Sequence, residues 1–186
     1  MSDHLTKKEQ RELLKIARQT VVGYVTNRTV PAIASALPGL NLHSGCFVTV
    51  KQKGELRGCI GNFVSDQPLY QLVQEMAVSA ATRDPRFYPM KVDDLADFTL
   101  DISVLSPLEK IAAVEEIKVG KHGIYIVKGS YRGVLLPQVA TEYGWNRDQF
   151  LQHTCMKAGL PEDAWQGECE IYIFSAQVFG DQRVRS

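Results

Sequence analysis

The chain has 186 residues, of which 45% are hydrophobic and 23% are charged, a composition typical of a globular protein and not of a disordered or fibrous one. Its 21 Lys and Arg residues balance its 21 Asp and Glu residues, so net charge does not favour a nucleic-acid binder or an anionic-membrane binder. We expect residues 1–186 to form one domain, in which an internal segment can build a small lobe.

A helix and a hairpin are predicted first along the chain. The helix begins with a capping box, because Thr6 and Glu9 can satisfy each other's backbone groups. Apolar residues then recur at steps of three and four, which predicts one buried face and a helix end near Arg28. After a loop rich in Pro, Gly, Ser and Asn, residues 46–50 and 56–61 flank a polar, glycine-containing turn. This pattern predicts a β-hairpin.

A second helix and a stiff loop follow. Pro68 suits the first turn of a helix, and an apolar stripe continues from it as far as Ala80. The helix should stop by Asp84, since Pro85 follows. The two prolines of residues 84–89 predict a constrained loop that can hold side chains at a site. Alternating apolar residues then predict a half-buried strand over residues 98–105.

The second half of the chain predicts another hairpin, a helix and a last strand. Residues 124–127 and 132–136 form the hairpin, and the capping signature of residues 146–149 opens a helix. Residues 168–179 are apolar on both faces and predict one interior strand. Together these elements predict an α+β fold, with a mixed, mostly antiparallel sheet, flanking helices and a smaller lobe packed against the main body. The glycine spacings that bind nucleotide phosphates are absent.

Cysteine usage and the amino-terminal residues predict the compartment. The four cysteines, at positions 46, 59, 155 and 169, form no Cys-x-x-Cys pair. Such a set predicts small buried side chains, one of which can be reactive, rather than a disulfide framework or a zinc site. The first residues lack an apolar leader, and no apolar run approaches the length of a membrane span. We therefore expect a cytoplasmic protein.

The most unusual segment is residues 56–61, in which Cys59 lies between Gly58 and Gly61 and follows Arg57. Glycines within a strand mark a bulge or the close approach of another group. A guanidinium near a thiol favours the thiolate, which attacks electrophiles and binds metals. The alternative is that Cys59 is a buried filler and the glycines are structural.

Four other residues can contribute to a site, and each has a structural alternative. His122 can act as a base to Cys59 or as a metal ligand if the two hairpins meet, or it can cap its own turn. Asp84 and Arg86 can clamp an anionic ligand, or they can pair internally and shape their loop. Gln138 can recognise a ligand or cap the next segment.

Five segments in this order resemble the AMMECR1 domain family, and the resemblance covers nearly the whole chain. The segments that carry it are 56–61 (LRGCIG), 84–89 (DPRFYP), 102–107 (ISVLSP), 121–124 (KHGI) and 135–140 (LLPQVA). The resemblance implies an α+β body with a smaller lobe, and signature loops gathered near the cleft between them. It implies no established reaction. Prokaryotic members are called AmmeMemoRadiSam system protein A, which implies a Memo-like protein and a radical SAM protein as partners.

The resemblance implies six candidate site residues and leaves two functions open. Cys59 and His122 are the candidate catalytic residues; the candidate substrate-binding residues are Arg57, Asp84, Arg86 and Gln138. In the first hypothesis the protein is an enzyme of unassigned reaction, with Cys59 as nucleophile or ligand and a small, anionic substrate. In the second it is a non-catalytic module that binds the Memo-like and radical SAM proteins through its proline-stiffened loops. No metal or cofactor is specified, since one Cys and one His are too few ligands for zinc.

Overall fold

The computed structural model of the protein describes residues 4–181. This part of the chain contains four α-helices and eight strands. The strands form two four-stranded sheets, in the orders β2-β1-β3-β8 and β4-β7-β5-β6. The α+β class and the mostly antiparallel pairing are confirmed. The elements are α1 Lys7–Asn27, β1 Cys46–Gln52, β2 Glu55–Asn62, α2 Leu69–Thr82, β3 Thr99–Leu105, β4 Glu109–Lys110, β5 Gly123–Lys128, β6 Tyr131–Leu135, α3 Pro137–Tyr143, α4 Arg147–Lys157, β7 Glu170–Phe174 and β8 Ala176–Gly180.

The chain divides into two compact units, each with its own apolar core. The first unit holds the described residues up to Leu105 and from Gln177 onward, and the second unit is Ser106–Ala176. The first core lies between the β1–β3 sheet and the helices α1 and α2. In the second unit α4 packs on β5 and β6. The packing of a smaller lobe against a main body stays a prediction.

Helix α1 begins where the capping box places it. The Glu9 N–H donates to the Thr6 hydroxyl at 3.2 Å, and the Thr6 N–H donates to the Glu9 carboxylate at 2.8 Å. The helix ends at Asn27, because the cap residue Arg28 has a left-handed φ of 60° and cannot continue the helix. Glu9 also accepts the Gly39 N–H at 2.8 Å, so one carboxylate fixes both the helix start and the following loop. No helix of residues 4–181 is both long enough and apolar enough to cross a bilayer.

The first hairpin pairs β1 with β2 in antiparallel register, as the sequence predicts. Its turn is Lys53-Gly54, and both residues have positive φ, 51° and 80°, as in a type I′ turn. The register shifts between Val50 and Lys51, so that Arg57 of β2 has no partner on β1 and forms a β-bulge. Alternation along β1 places one set of side chains against the helices; this set is Cys46, Val48 and Val50, each 0% exposed.

The predicted last strand is wrong as a single interior strand. It is two strands separated by Ser175: β7 is an inner strand of the second unit's sheet, and β8 is an edge strand of the first unit's sheet. The two strands bury apolar residues in different cores, Ile171 in the second and Phe179 in the first. In the sequence, the two adjacent strands therefore look like a single strand with apolar residues on both faces. Helix α3 was not predicted, although Pro137 begins it as prolines often do.

Candidate functional site

The glycines around Cys59 are required by close packing. A Cβ added at Gly58 would lie 1.9 Å from the carbonyl oxygen of Ala80, so the backbone of β2 rests directly on helix α2. A Cβ at Gly61 would lie 2.3 Å from the ring of Phe47. Neither space accommodates a side chain. The structural alternative for these two glycines therefore accounts for their positions.

Cys59 lies opposite Thr49 on the neighbouring strand, on the sheet face that points away from the helices. The Thr49 hydroxyl donates a hydrogen bond to the Cys59 sulfur at 3.2 Å, and the thiol is half-buried. Cys46 belongs to the opposite face, where it is fully buried in the first core. These two thiols therefore cannot act at one site on the hairpin.

Asp84 joins the Cys59 strand to the loop that follows α2. Its side chain is 2% exposed, and its carboxylate accepts the Cys59 N–H at 3.0 Å. The same carboxylate accepts the Arg86 N–H at 3.1 Å and the Arg86 Nε and Nη2 at 3.0 and 2.7 Å. The Arg86 guanidinium, followed by the two backbone N–H groups, holds the pKa of Asp84 well below its usual range, against the opposing effect of burial.

The contact between Asp84 and Cys59 also protects an edge strand. Strand β2 is an edge strand of its sheet. The N–H of Cys59 points away from β1 and would have no hydrogen-bond acceptor without Asp84. Asp84 therefore ties the edge of β2 to the segment 84–89. The internal pairing of Asp84 with Arg86 is present, and a ligand-binding role of the pair stays a prediction.

Arg57 is the bulge residue of β2, and its side chain lies near Asp94. Its Nη2 lies 3.6 Å from the Asp94 carboxylate, and its Nη1 is buried without a hydrogen-bond partner among the described residues. Asp94 also accepts the Lys91 N–H at 2.8 Å, and that bond is the largest cause of its lowered pKa. Sequence reasoning missed Asp94 and Thr49, because each meets its partner only through the tertiary arrangement of the hairpin.

His122 and Gln138 belong to the second unit, whereas Cys59 belongs to the first. The Lys118 N–H donates to Nδ1 of His122 at 3.0 Å, so His122 caps its own turn. Burial, followed by the charges of Lys121 and Lys118, lowers the pKa of His122. The neutral ring therefore carries its proton on Nε2, with Nδ1 occupied. Gln138 is exposed in the first turn of α3. The catalytic role of His122 and the binding role of Gln138 stay predictions.

Four of the six candidates thus lie in the first unit, and three of them, Cys59, Asp84 and Arg86, are linked by direct hydrogen bonds. Across residues 4–181 no three His, Cys, Asp or Glu side chains come close enough to hold a metal ion. An open surface depression of about 490 Å³ lies in the second unit and is lined by none of the six candidates; its lining residues are Val127, Lys128, Gly129, Glu168, Cys169 and Glu170.

Comparisons with known proteins show the family. The AMMECR1 family model matches residues 14–179. The chain is 41% identical to a protein of Methanopyrus kandleri, over 98% of this chain and 93% of that protein. It is 37% identical to a protein of Aquifex aeolicus, over 92% of each. Its structure is similar to that of the uncharacterised protein PH0010 from Pyrococcus horikoshii, with a TM-score of 0.82, 36% identity, and coverage of 94% of this chain and 92% of that one. The chain therefore belongs to the AMMECR1 family.

Proposed function

We propose that the chain is a partner-binding module whose contact surface is the segment Asp84–Pro89, named here the DPRFYP loop. The observation that carries the proposal is the contrast within this loop. Asp84 is buried and bound to both Cys59 and Arg86, whereas Tyr88 is 88% exposed. Exposed aromatic side chains on a fixed backbone are typical of the anchors that dominate protein interfaces.

The backbone of the loop is held in place by contacts that leave the Tyr88 side chain exposed. Pro85 and Pro89 fix two φ angles, and the Met90 N–H after the loop donates to the Ala81 carbonyl of α2 at 2.9 Å. The Arg86 guanidinium lies over the Phe87 ring at 5.4 Å from its centroid. A backbone that is already ordered loses less conformational entropy on binding, which favours a contact role for this loop.

The partners that the family resemblance implies are a Memo-like protein and a radical SAM protein. The test is sedimentation of the purified chain with each of these proteins from the same genome. We expect association at micromolar concentration. Changing Tyr88 to Ala should weaken it by at least ~10-fold, since a central aromatic anchor contributes about 2 kcal/mol or more.

The matched control is Tyr131→Ala, because Tyr131 is also a well-exposed tyrosine, at 54%, on strand β6 of the second unit. This variant should bind as the unchanged chain does. Absence of association with both proteins, or equal effects of the two tyrosine changes, would contradict the proposal.

A second candidate function is favoured by one observation, the hydrogen bond from the Thr49 hydroxyl to the Cys59 sulfur. A donor on sulfur stabilises negative charge that develops there, as a nucleophilic thiol requires. In this reading the chain is an enzyme that acts on a small anionic substrate in the cytoplasm, with Cys59 as nucleophile.

Alkylation of the native protein by iodoacetamide, followed peptide by peptide by mass spectrometry, tests this reading. Cys169 is the internal reference, because it is half-buried like Cys59 and burial raises its pKa. An enzyme nucleophile at Cys59 should react at lower pH than Cys169, and more slowly after Thr49→Val. A Cys59 that stays unlabelled until the protein unfolds is a packing residue, and the enzyme reading then fails.

A further inference from the structure

The DPRFYP loop contains one cationic residue and is flanked by two others. Arg83, directly before it, and Lys91, shortly after it, are both exposed, and the Arg86 side chain is 56% exposed. Arg86 uses Nε and Nη2 on Asp84, which leaves Nη1 as a donor to another group. The one acidic residue within 83–91 is Asp84, which is buried, so the exposed charged residues of the segment that holds Tyr88 are cations.

Asp94 is the carboxylate on which Lys91 acts: its pKa is lowered chiefly by the Lys91 N–H and, among smaller causes, by the charge of Lys91. No Asp or Glu among residues 4–181 lies within salt-bridge distance of Arg83 or Lys91. Asp94 lies on the following turn, but its carboxylate already accepts the Lys91 N–H and pairs with Arg57. Asp93 is the next exposed acidic residue along the chain. The exposed charged residues within 83–91 are therefore all cations, in the same segment as Tyr88 and within a chain whose formal charge is zero.

We infer that the DPRFYP loop binds an acidic protein segment that also offers an apolar side chain to Tyr88. This inference rests on the proposed function and names the chemistry of the partner. Complementary charge speeds encounter and fixes register, while the exposed tyrosine supplies the apolar contact. Nucleic acid fits less well, because three cations, one of them paired with Asp84, are few for a ligand held through many phosphates.

The test uses a short fluorescein-labelled peptide rich in Asp and Glu that carries two leucines, and measures its binding by fluorescence anisotropy. The comparison peptide has Asn and Gln in place of the acids, and an oligouridylate serves as competitor. The variant is Arg83→Gln with Lys91→Gln, which leaves Asp84 and Arg86 intact. The charge-matched control is Lys7→Gln with Lys15→Gln, since both lysines are exposed on α1.

The acidic peptide should bind the unchanged chain and the α1 control equally, and the loop variant roughly 3- to 10-fold more weakly. The inference is overturned if the acidic peptide does not saturate, if the neutral peptide binds as well, if the loop variant binds unchanged, or if oligouridylate binds the loop more tightly. If Tyr88→Ala still weakens binding of the Memo-like or radical SAM protein by at least ~10-fold in any of these cases, the proposed function stands without this inference. If that variant also has no effect, both fail.

Discussion

The carboxylate of Asp84 accepts the backbone N–H of Cys59 at 3.0 Å, across 25 residues of sequence, and so fastens the DPRFYP loop to the edge of β2. We expect Asp84→Ala to lower the free energy of unfolding by about 2–3 kcal/mol, because the Cys59 N–H and Arg86 lose a charged acceptor together. Urea denaturation measures the change. Arg86→Gln is the control, and its effect should be about 1 kcal/mol or less, since this side chain is more than half exposed.

Two buried carboxylates make stability sensitive to acid. The pKa of Asp84 is lowered chiefly by the Arg86 side chain, and that of Glu9 chiefly by the Thr6 N–H. A lowered folded pKa means that the stabilisation is complete above the unfolded pKa of about 4 and is lost as the pH falls below it. Asp84→Asn with Glu9→Gln should therefore flatten the decline of the urea midpoint between about pH 5 and pH 2. A decline as steep as that of the unchanged chain would contradict this account.

Two of the four thiols should be unreactive towards alkylation in the native protein. Cys46 is fully buried, and burial, with the charge of Glu75, raises its pKa to about 12. Cys155 is also fully buried, and burial raises its pKa as well. Neither should react with iodoacetamide at about pH 8 until denaturant is added, as peptide mass spectrometry would show. Labelling of Cys46 in native protein would mean that the first core opens far more readily than its packing indicates.

The packing of Gly58 on α2 should make this position intolerant of any side chain. Gly58→Ala places a Cβ 1.9 Å from the Ala80 carbonyl oxygen, so strand and helix must separate. We expect the free energy of unfolding to fall by about 3 kcal/mol or more. Gly167→Ala is the matched control, because its Cβ would lie at an ordinary 3.6 Å from Ala164 and its φ is −102°. Equal effects of the two substitutions would show that Gly58 is not limited by space.

The turn of the first hairpin can be improved. Lys53 is exposed and has a φ of 51°, which Asn tolerates better than Lys. Lys53→Asn should therefore raise the free energy of unfolding by about 0.5 kcal/mol, measured by urea denaturation. Gly54→Ala is the opposite test. Its surroundings are open, so backbone strain at a φ of 80° should lower stability by about 1 kcal/mol. Stabilisation by the alanine would contradict a type I′ turn.

The sequence by itself determined the elements whose signals are local. The Thr6 and Glu9 capping box places the start of α1, and strand alternation with a glycine-containing turn places the first hairpin. These signals are reliable because they arise from hydrogen bonds and side-chain periods within a few residues. The glycines around Cys59 and the two prolines after Asp84 are local signals as well, and they indicate the candidate site without any tertiary contact.

Only the tertiary structure decided which of these residues meet. It separated residues 170–180 into strands of two sheets, paired Cys59 with Thr49 and brought Arg57 to Asp94. These outcomes depend on strand register, on a one-residue bulge and on the close packing of Gly58 against α2. A shift of one residue in register would turn Cys59 to the other sheet face, so no local pattern specifies its neighbours. The sequence therefore determines which chemical groups the candidate site can contain. Contacts between distant segments determine how those groups are arranged in space.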